Sequence, residues 1–175
     1  MFEKLNRGEP EDWDSIGDRM QPLTTQVPAF RGSYNWLSNY YACNVEGFKP
    51  EEAQPIDYAS VESGYLCAKY WAPDKVAKLT YRELADWRRK EAPLHKQIFD
   101  WENKKMFVMA YLLVSKFDYN KDLLEKLLTT GDSWIQETNN WNDTYWGVCN
   151  GRGQNRLGKL LMLLRSYYAV GGGSR

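Results

Sequence analysis

Apolar side chains recur at helical spacing along most of the chain. After Ser60, a candidate N-cap, the positions Val61, Tyr65, Leu66, Ala68 and Tyr70 predict an amphipathic helix that reaches Lys69 and beyond. Pro73-Asp74 starts a short helix, and Thr80 to Arg89 another. The densest apolar pattern (Ile98, Phe99, Phe107, Val108, Ala110, Tyr111, Leu112 and Val114) predicts a central core helix from about Lys96 to Lys116. Lys121 to Leu128 reads as one more helix, stopped by Gly131, and the last runs from about Asn155 to Tyr168. Strand signals are short: Ala42 to Val45, Ile56 to Ala59 and Trp134 to Glu137, with a polar connection from Gly47 to Pro55. Residues 1–27 are polar and broken by glycine and proline, so they read as a loosely ordered arm. Residues 28–170 form one domain, and 171–175 look like an appended linker.

Composition narrows the partners. With 175 residues the chain suits a single core, and 23 basic against 23 acidic residues leave no net charge. That excludes a general nucleic-acid or membrane surface, so a nucleic-acid substrate would be held locally. Eight Trp and 12 Tyr indicate either an aromatic core or a pocket that stacks flat rings. Three scattered cysteines and a single histidine, His95, give no metal-ligand spacing, so neither a metal nor another cofactor is expected. The apolar run Met106 to Val114 is too short to span a bilayer, and with no signal peptide visible a cytoplasmic protein is expected.

Two stretches carry candidate chemistry. Glu62 and Lys69 are seven apart, close to two helical turns, and so share a face. A lysine among apolar and aromatic neighbours tends toward the neutral amine that a nucleophile needs. The alternative is a lysine that snorkels to solvent beside a surface glutamate. The second stretch is the long polar, aromatic loop from Thr138 to Gln154. Gly151 and Gly153 permit close backbone approach, and the helix that follows offers free amides, with Arg152 or Arg156 to help hold a phosphate. An ordinary helix start with a flexible turn is the alternative there.

The residues also carry a family resemblance. Trp36-Leu37-Ser38-Asn39-Tyr40, Val61-Glu62 with Lys69 seven on, Asn142-Asp143-Thr144-Tyr145-Trp146-Gly147, and Gly153-Gln154-Asn155-Arg156-Leu157-Gly158-Lys159-Leu160-Leu161-Met162 together resemble the NADAR (YbiA-like) family, in order from about Phe30 to Tyr168. The resemblance implies a compact, mostly helical α+β domain with a few short strands, and cleavage of N-glycosidic bonds. It implies substrates that are either ADP-ribosylated guanine, in a nucleotide or nucleic acid, or small ribosylamino-pyrimidine phosphates of riboflavin synthesis. By position Lys69, Glu62 and Asp143 look like the family's catalytic residues. Lys69 would form a Schiff base, Glu62 would move protons and Asp143 would orient a hydroxyl or water. Tyr34, Asn39, Trp101, Trp146, Gly147, Gly153, Asn155 and Arg156 are the substrate-binding candidates, with Tyr34, Trp101 and Trp146 able to stack on a base. Core packing is the alternative for the tryptophans. Two departures bear on substrate choice: Ser63 stands where many members have histidine, and the Gly47 to Pro55 connection is long. A non-catalytic ADP-ribose-binding module is the competing reading, although it would have no need of an amine nucleophile.

Overall fold

The computed structural model describes residues 26–49, 52–71 and 74–172. In chain order the elements are β1 (Gln26–Val27), β2 (Val45–Lys49), β3 (Glu52–Tyr58), α1 (Val61–Tyr70), α2 (Asp74–Ala77), α3 (Tyr81–Lys90), α4 (Trp101–Tyr119), α5 (Lys121–Thr129), β4 (Trp134–Ile135), β5 (Thr138–Asn139), β6 (Val148–Cys149) and α6 (Arg156–Ala169), with 3-10 turns at Gly32–Leu37 and Ala92–Leu94. Helices hold most of the structure and the strands are short, an α+β fold as the resemblance implies. The described residues divide into two units, 26–29 with 132–159 and 30–131 with 160–172.

The larger unit is built on α1 and α4. Ser60 caps α1: its side chain accepts the Ser63 amide at 3.2 Å, while the Ser63 hydroxyl accepts the Ser60 amide at 3.1 Å. That reciprocal box fixes where the helix starts. It also explains Ser63, which is fully buried against Ser60. Gly64 lets α1 approach α4 closely, since a Cβ there would lie 2.7 Å from the Leu112 side chain. Leu66 joins Val76, Leu84, Trp87 and Ala92 in a cluster that brings α2 and α3 against α1. The expected polar connection from Gly47 to Pro55 proves to be part of an antiparallel hairpin, β2 with β3, in which Val45 pairs with Tyr58 and Gly47 with Ile56.

The central helix differs from expectation at its start. Asp100 takes a left-handed conformation (φ 60°), so α4 begins at Trp101 and not at Lys96. The buried stripe then runs through Trp101, Met109, Leu112, Leu113, Lys116 and Phe117. Phe99 and Phe107, expected in the core, are 89% and 75% exposed. Phe99 precedes the helix, and Phe107 sits about 200° round from Met109.

The smaller unit joins distant segments. β1 pairs in parallel with β4, Gln26 with Trp134 and Val27 with Ile135, and the Gln136 amide extends the ladder to the Val27 carbonyl. Of the arm expected over residues 1–27, all but this last pair lies outside the described residues. β5 pairs in parallel with β6, so the loop between them must carry the chain back along its own length.

Candidate functional site

On the larger unit the site grows from the first turn of α1. The Glu62 amide donates to the Asn39 carbonyl at 2.9 Å, which ties the loop before β2 to the helix start. The Glu62 side chain is buried, and its Oε1 lies 3.2 Å from Arg88 Nη1 of α3. The same guanidinium nitrogen donates to the Tyr40 hydroxyl at 3.1 Å. Burial, and then the neighbouring Glu62 charge, push the Tyr40 phenol up to about 12. The Asn39 side chain donates to Met109 Sδ at 3.5 Å, while its Oδ1, shielded from solvent, has no hydrogen-bond partner.

Lys69 lies two turns further along α1 and is half-buried. Its Nζ is 5.1 Å from the Tyr70 ring centroid and 6.0 Å from that of Trp101. Trp101 is buried and meets Tyr65 edge-on at 4.9 Å. An amine is thus bordered by aromatic rings, and among the described residues it forms no ion pair. Tyr34, in the 3-10 turn, is 37% exposed.

On the smaller unit Asp143 organises its own loop. Its Oδ1 accepts the amides of Tyr145 (3.1 Å) and Trp146 (2.8 Å). The buried Asn139 side chain brackets the same residue, donating to its carbonyl at 2.7 Å and accepting its amide at 3.1 Å. Trp146 is half-buried and edge-on to Tyr145, whose ring lies 4.8 Å from the Arg156 guanidinium carbon. Gly153 (φ 145°) is a position that glycine alone accommodates: a Cβ would lie 2.1 Å from the Gly147 carbonyl oxygen.

The start of α6 has few donors left for an anion. The amides of Gln154, Asn155, Arg156 and Leu157 donate to the carbonyls of Thr144, Gly147, Tyr145 and Trp146. The Asn155 side chain is also engaged, accepting the Glu137 amide at 3.0 Å and donating to the Ile135 carbonyl at 2.9 Å. What remains for a phosphate is the arginine side chains, and Arg156 Nε already donates to Gln154 Oε1 at 2.5 Å.

Sequence reasoning missed Arg88, the first of the charged run Arg88-Arg89-Lys90-Glu91, and Lys116. Arg88 follows Leu84 by four residues and Trp87 by one, so it borders the buried face of α3, and that spacing was a usable signal. Lys116 is fully buried, its Nζ donating to the carbonyls of Trp36 (2.7 Å) and Ser38 (3.0 Å). It fastens the loop that carries Asn39 and Tyr40. Burial lowers its pKa to about 8.

Among the described residues there is no group of three or more His, Cys, Asp or Glu able to hold a metal, and no helix long and apolar enough to cross a membrane. A buried, ion-paired carboxylate and an amine two turns along the same helix are equipment for proton and nucleophile chemistry on a polar ligand. The chain belongs to the NADAR family, whose domain model matches residues 29–167. It is similar to N-glycosidase YbiA of Escherichia coli, 40% identical over 84 residues, covering 47% of this chain and 50% of that one. It is also similar to a riboflavin biosynthesis protein of Vibrio vulnificus, 28% identical over 142 residues, covering 76% of this chain and 35% of that one. The chain thus spans between a third and a half of the length of these relatives. The NMR structure of E. coli YbiA shares the fold, with a TM-score of 0.68 at 26% identity over 86% of this chain and 88% of that one.

Proposed function

We propose that the protein is an N-glycosyl hydrolase that removes ADP-ribose from ADP-ribosylated guanine through a Schiff base on Lys69. The observation that carries this reading is the pairing on α1 of a buried carboxylate, Glu62, with a half-buried amine bordered by Trp101 and Tyr70. The N-glycosidase names of the relatives support the reaction class. The lone pair of the base nitrogen opens the distal ribose, breaking the bond from C1 to the ring oxygen, which takes a proton from water. The neutral Lys69 amine then adds to C1, forming a C1–Nζ bond as the C1=N double bond becomes single. The bond from C1 to the base nitrogen then breaks, and that nitrogen leaves with a proton delivered by Glu62. One water hydrolyses the C1–Nζ imine, releasing ADP-ribose and restoring the amine. Trp101, whose ring lies 6.0 Å from Lys69 Nζ, would border the sugar or base there. Asp143 keeps the role its family position implies, orienting a hydroxyl or water, with one carboxylate oxygen already fixed by two amides.

The test is incubation with ADP-ribosylated guanosine, ADP-ribosylated DNA and a ribosylamino-pyrimidine phosphate, with and without borohydride. Release of ADP-ribose and a reduced adduct at Lys69, both absent in Lys69→Arg, are expected. Turnover of the pyrimidine phosphate alone would move the substrate to the class suggested by the name of the Vibrio relative. Near wild-type turnover by Lys69→Arg would replace the imine with a water activated by a carboxylate.

A further inference from the structure

A carboxylate as buried as Glu62 takes up a proton unless its charge is supported. From α3, Arg88 Nη1 stands 3.2 Å from Oε1. From the loop before β2, Tyr40 bonds both Arg88 and Glu62, and its raised pKa keeps it a hydroxyl donor throughout the neutral range. From its own helix, Glu62 is the second residue of α1, where the positive end of the helix dipole favours a carboxylate, and Lys69 follows two turns later. From α4, Lys105 lies on the stripe between Trp101 and Met109, its Nζ bonded to Glu102. Arg88, the Tyr40 hydroxyl and the start of α1 each favour the charged form.

We propose that Arg88, with the Tyr40 hydroxyl, holds Glu62 as the carboxylate and fixes its orientation, so that Glu62 enters the reaction as a proton acceptor. This rests on the reading of Glu62 as the proton carrier. The first proton step is then removal, from the Lys69 ammonium or a substrate hydroxyl, and the same proton goes later to the leaving nitrogen of the base. Arg88 acts through Glu62 and is a positioning residue. Its side chain is 53% exposed. Helix α3 is held independently of it by the Thr80–Glu83 capping box and by buried Leu84 and Trp87, so substitution at Arg88 leaves the helix in place.

The experiment titrates Glu62 in protein carrying ¹³C-labelled glutamate carboxyls, as wild type, Arg88→Met, Arg88→Lys and Tyr40→Phe, with circular dichroism as the control for folding. In Arg88→Met the Glu62 midpoint should rise by about one pH unit or more. Arg88→Lys should restore part of that shift, and Tyr40→Phe should give a smaller rise. The acid limb of kcat/KM should move with the midpoint. An unchanged Glu62 midpoint in Arg88→Met overturns the proposal. So does a raised KM with the acid limb unmoved, which would make Arg88 a substrate contact. The titration is read without substrate, so failure to find glycosidase activity would sink the proposed function and still leave this inference decided.

Discussion

Replacing Lys116 with methionine should change how stability depends on pH. The lysine is wholly buried and its pKa falls from 10.5 to about 8, with desolvation as the leading cause. The folded state therefore binds this proton less tightly than the unfolded state does. Below pH 8 both states carry it and the penalty on folding is complete. Above 10.5 neither carries it and the penalty is gone, so stability rises with pH across that window. The difference of about 2.5 units corresponds to about 3 kcal/mol, of which about 2 kcal/mol should be recovered by pH 9.5. Methionine fills similar space without charge, which removes that penalty, but it deprives the Trp36 carbonyl of its bond to Nζ, worth roughly 1–3 kcal/mol. The Ser38 carbonyl keeps the Tyr41 amide. The variant should thus be near parity with wild type at pH 7 and clearly less stable at pH 9.5. Urea unfolding of both proteins between pH 7 and 9.5 reads the difference. Staying below pH 10 avoids the tyrosines, and placing both proteins in a Cys43→Ser background removes the thiol that is coupled to Lys116. Parallel stability curves would refute the argument, because they would mean that Lys116 holds its proton equally in both states.

Other substitutions test the remaining parts. Asn155→Ala removes the side-chain partner of both the Glu137 amide and the Ile135 carbonyl and should destabilise by roughly 1–3 kcal/mol in thermal unfolding. If Asn155 also binds substrate, KM should rise even at temperatures where the variant is fully folded. Gly153→Ala adds both a backbone clash and a disfavoured φ, so a loss of about 3 kcal/mol or failure to fold is expected; wild-type stability would show that the loop is not packed as described. Ser60→Ala should lower stability by about 1 kcal/mol through loss of the cap, measured by urea denaturation. Glu62→Gln should bind substrate normally while slowing turnover by ~10²–10⁴-fold, and unchanged kcat would remove it from the proton path.

The helices with clean periodicity were legible in the sequence almost to the residue. The helices found at Tyr81–Lys90, Lys121–Thr129 and Arg156–Ala169 lie within a residue or so of the expected spans, and Ser60 caps α1 as its side-chain chemistry suggests. Periodicity failed where burial depends on partners distant in sequence. Phe107 and Lys116 belong to one apolar-looking helix, yet the phenylalanine faces water and the lysine is enclosed. Nothing local distinguishes them, because the carbonyls that receive Lys116 lie about eighty residues away. The hairpin from Val45 to Tyr58 was hidden by its polar composition, since strands at a surface need not alternate cleanly. Within the candidate site, Glu62, Lys69 and Trp101 were singled out through spacing and resemblance. Arg88 was lost because its run of charges masks one residue at the border of a buried face.

The two-segment build of each unit has a consequence for how the chain is made. Val27 is almost fully enclosed, yet its strand partner Ile135 lies 108 positions later. During synthesis from the amino end, β1 must wait unpaired while more than a hundred residues are added. The larger unit likewise lacks the end of α6, whose Tyr168 hydroxyl bonds Asp118 at 2.8 Å, until fifty residues beyond Asp118 have been added. Closure of such long loops is the slow part of folding a chain of this size. A ribosome-bound chain exposed only as far as residue 131 can form the contacts of α1 with α4 but has no partner strand for β1, so the loop that carries Asp143 is among the last parts to take shape.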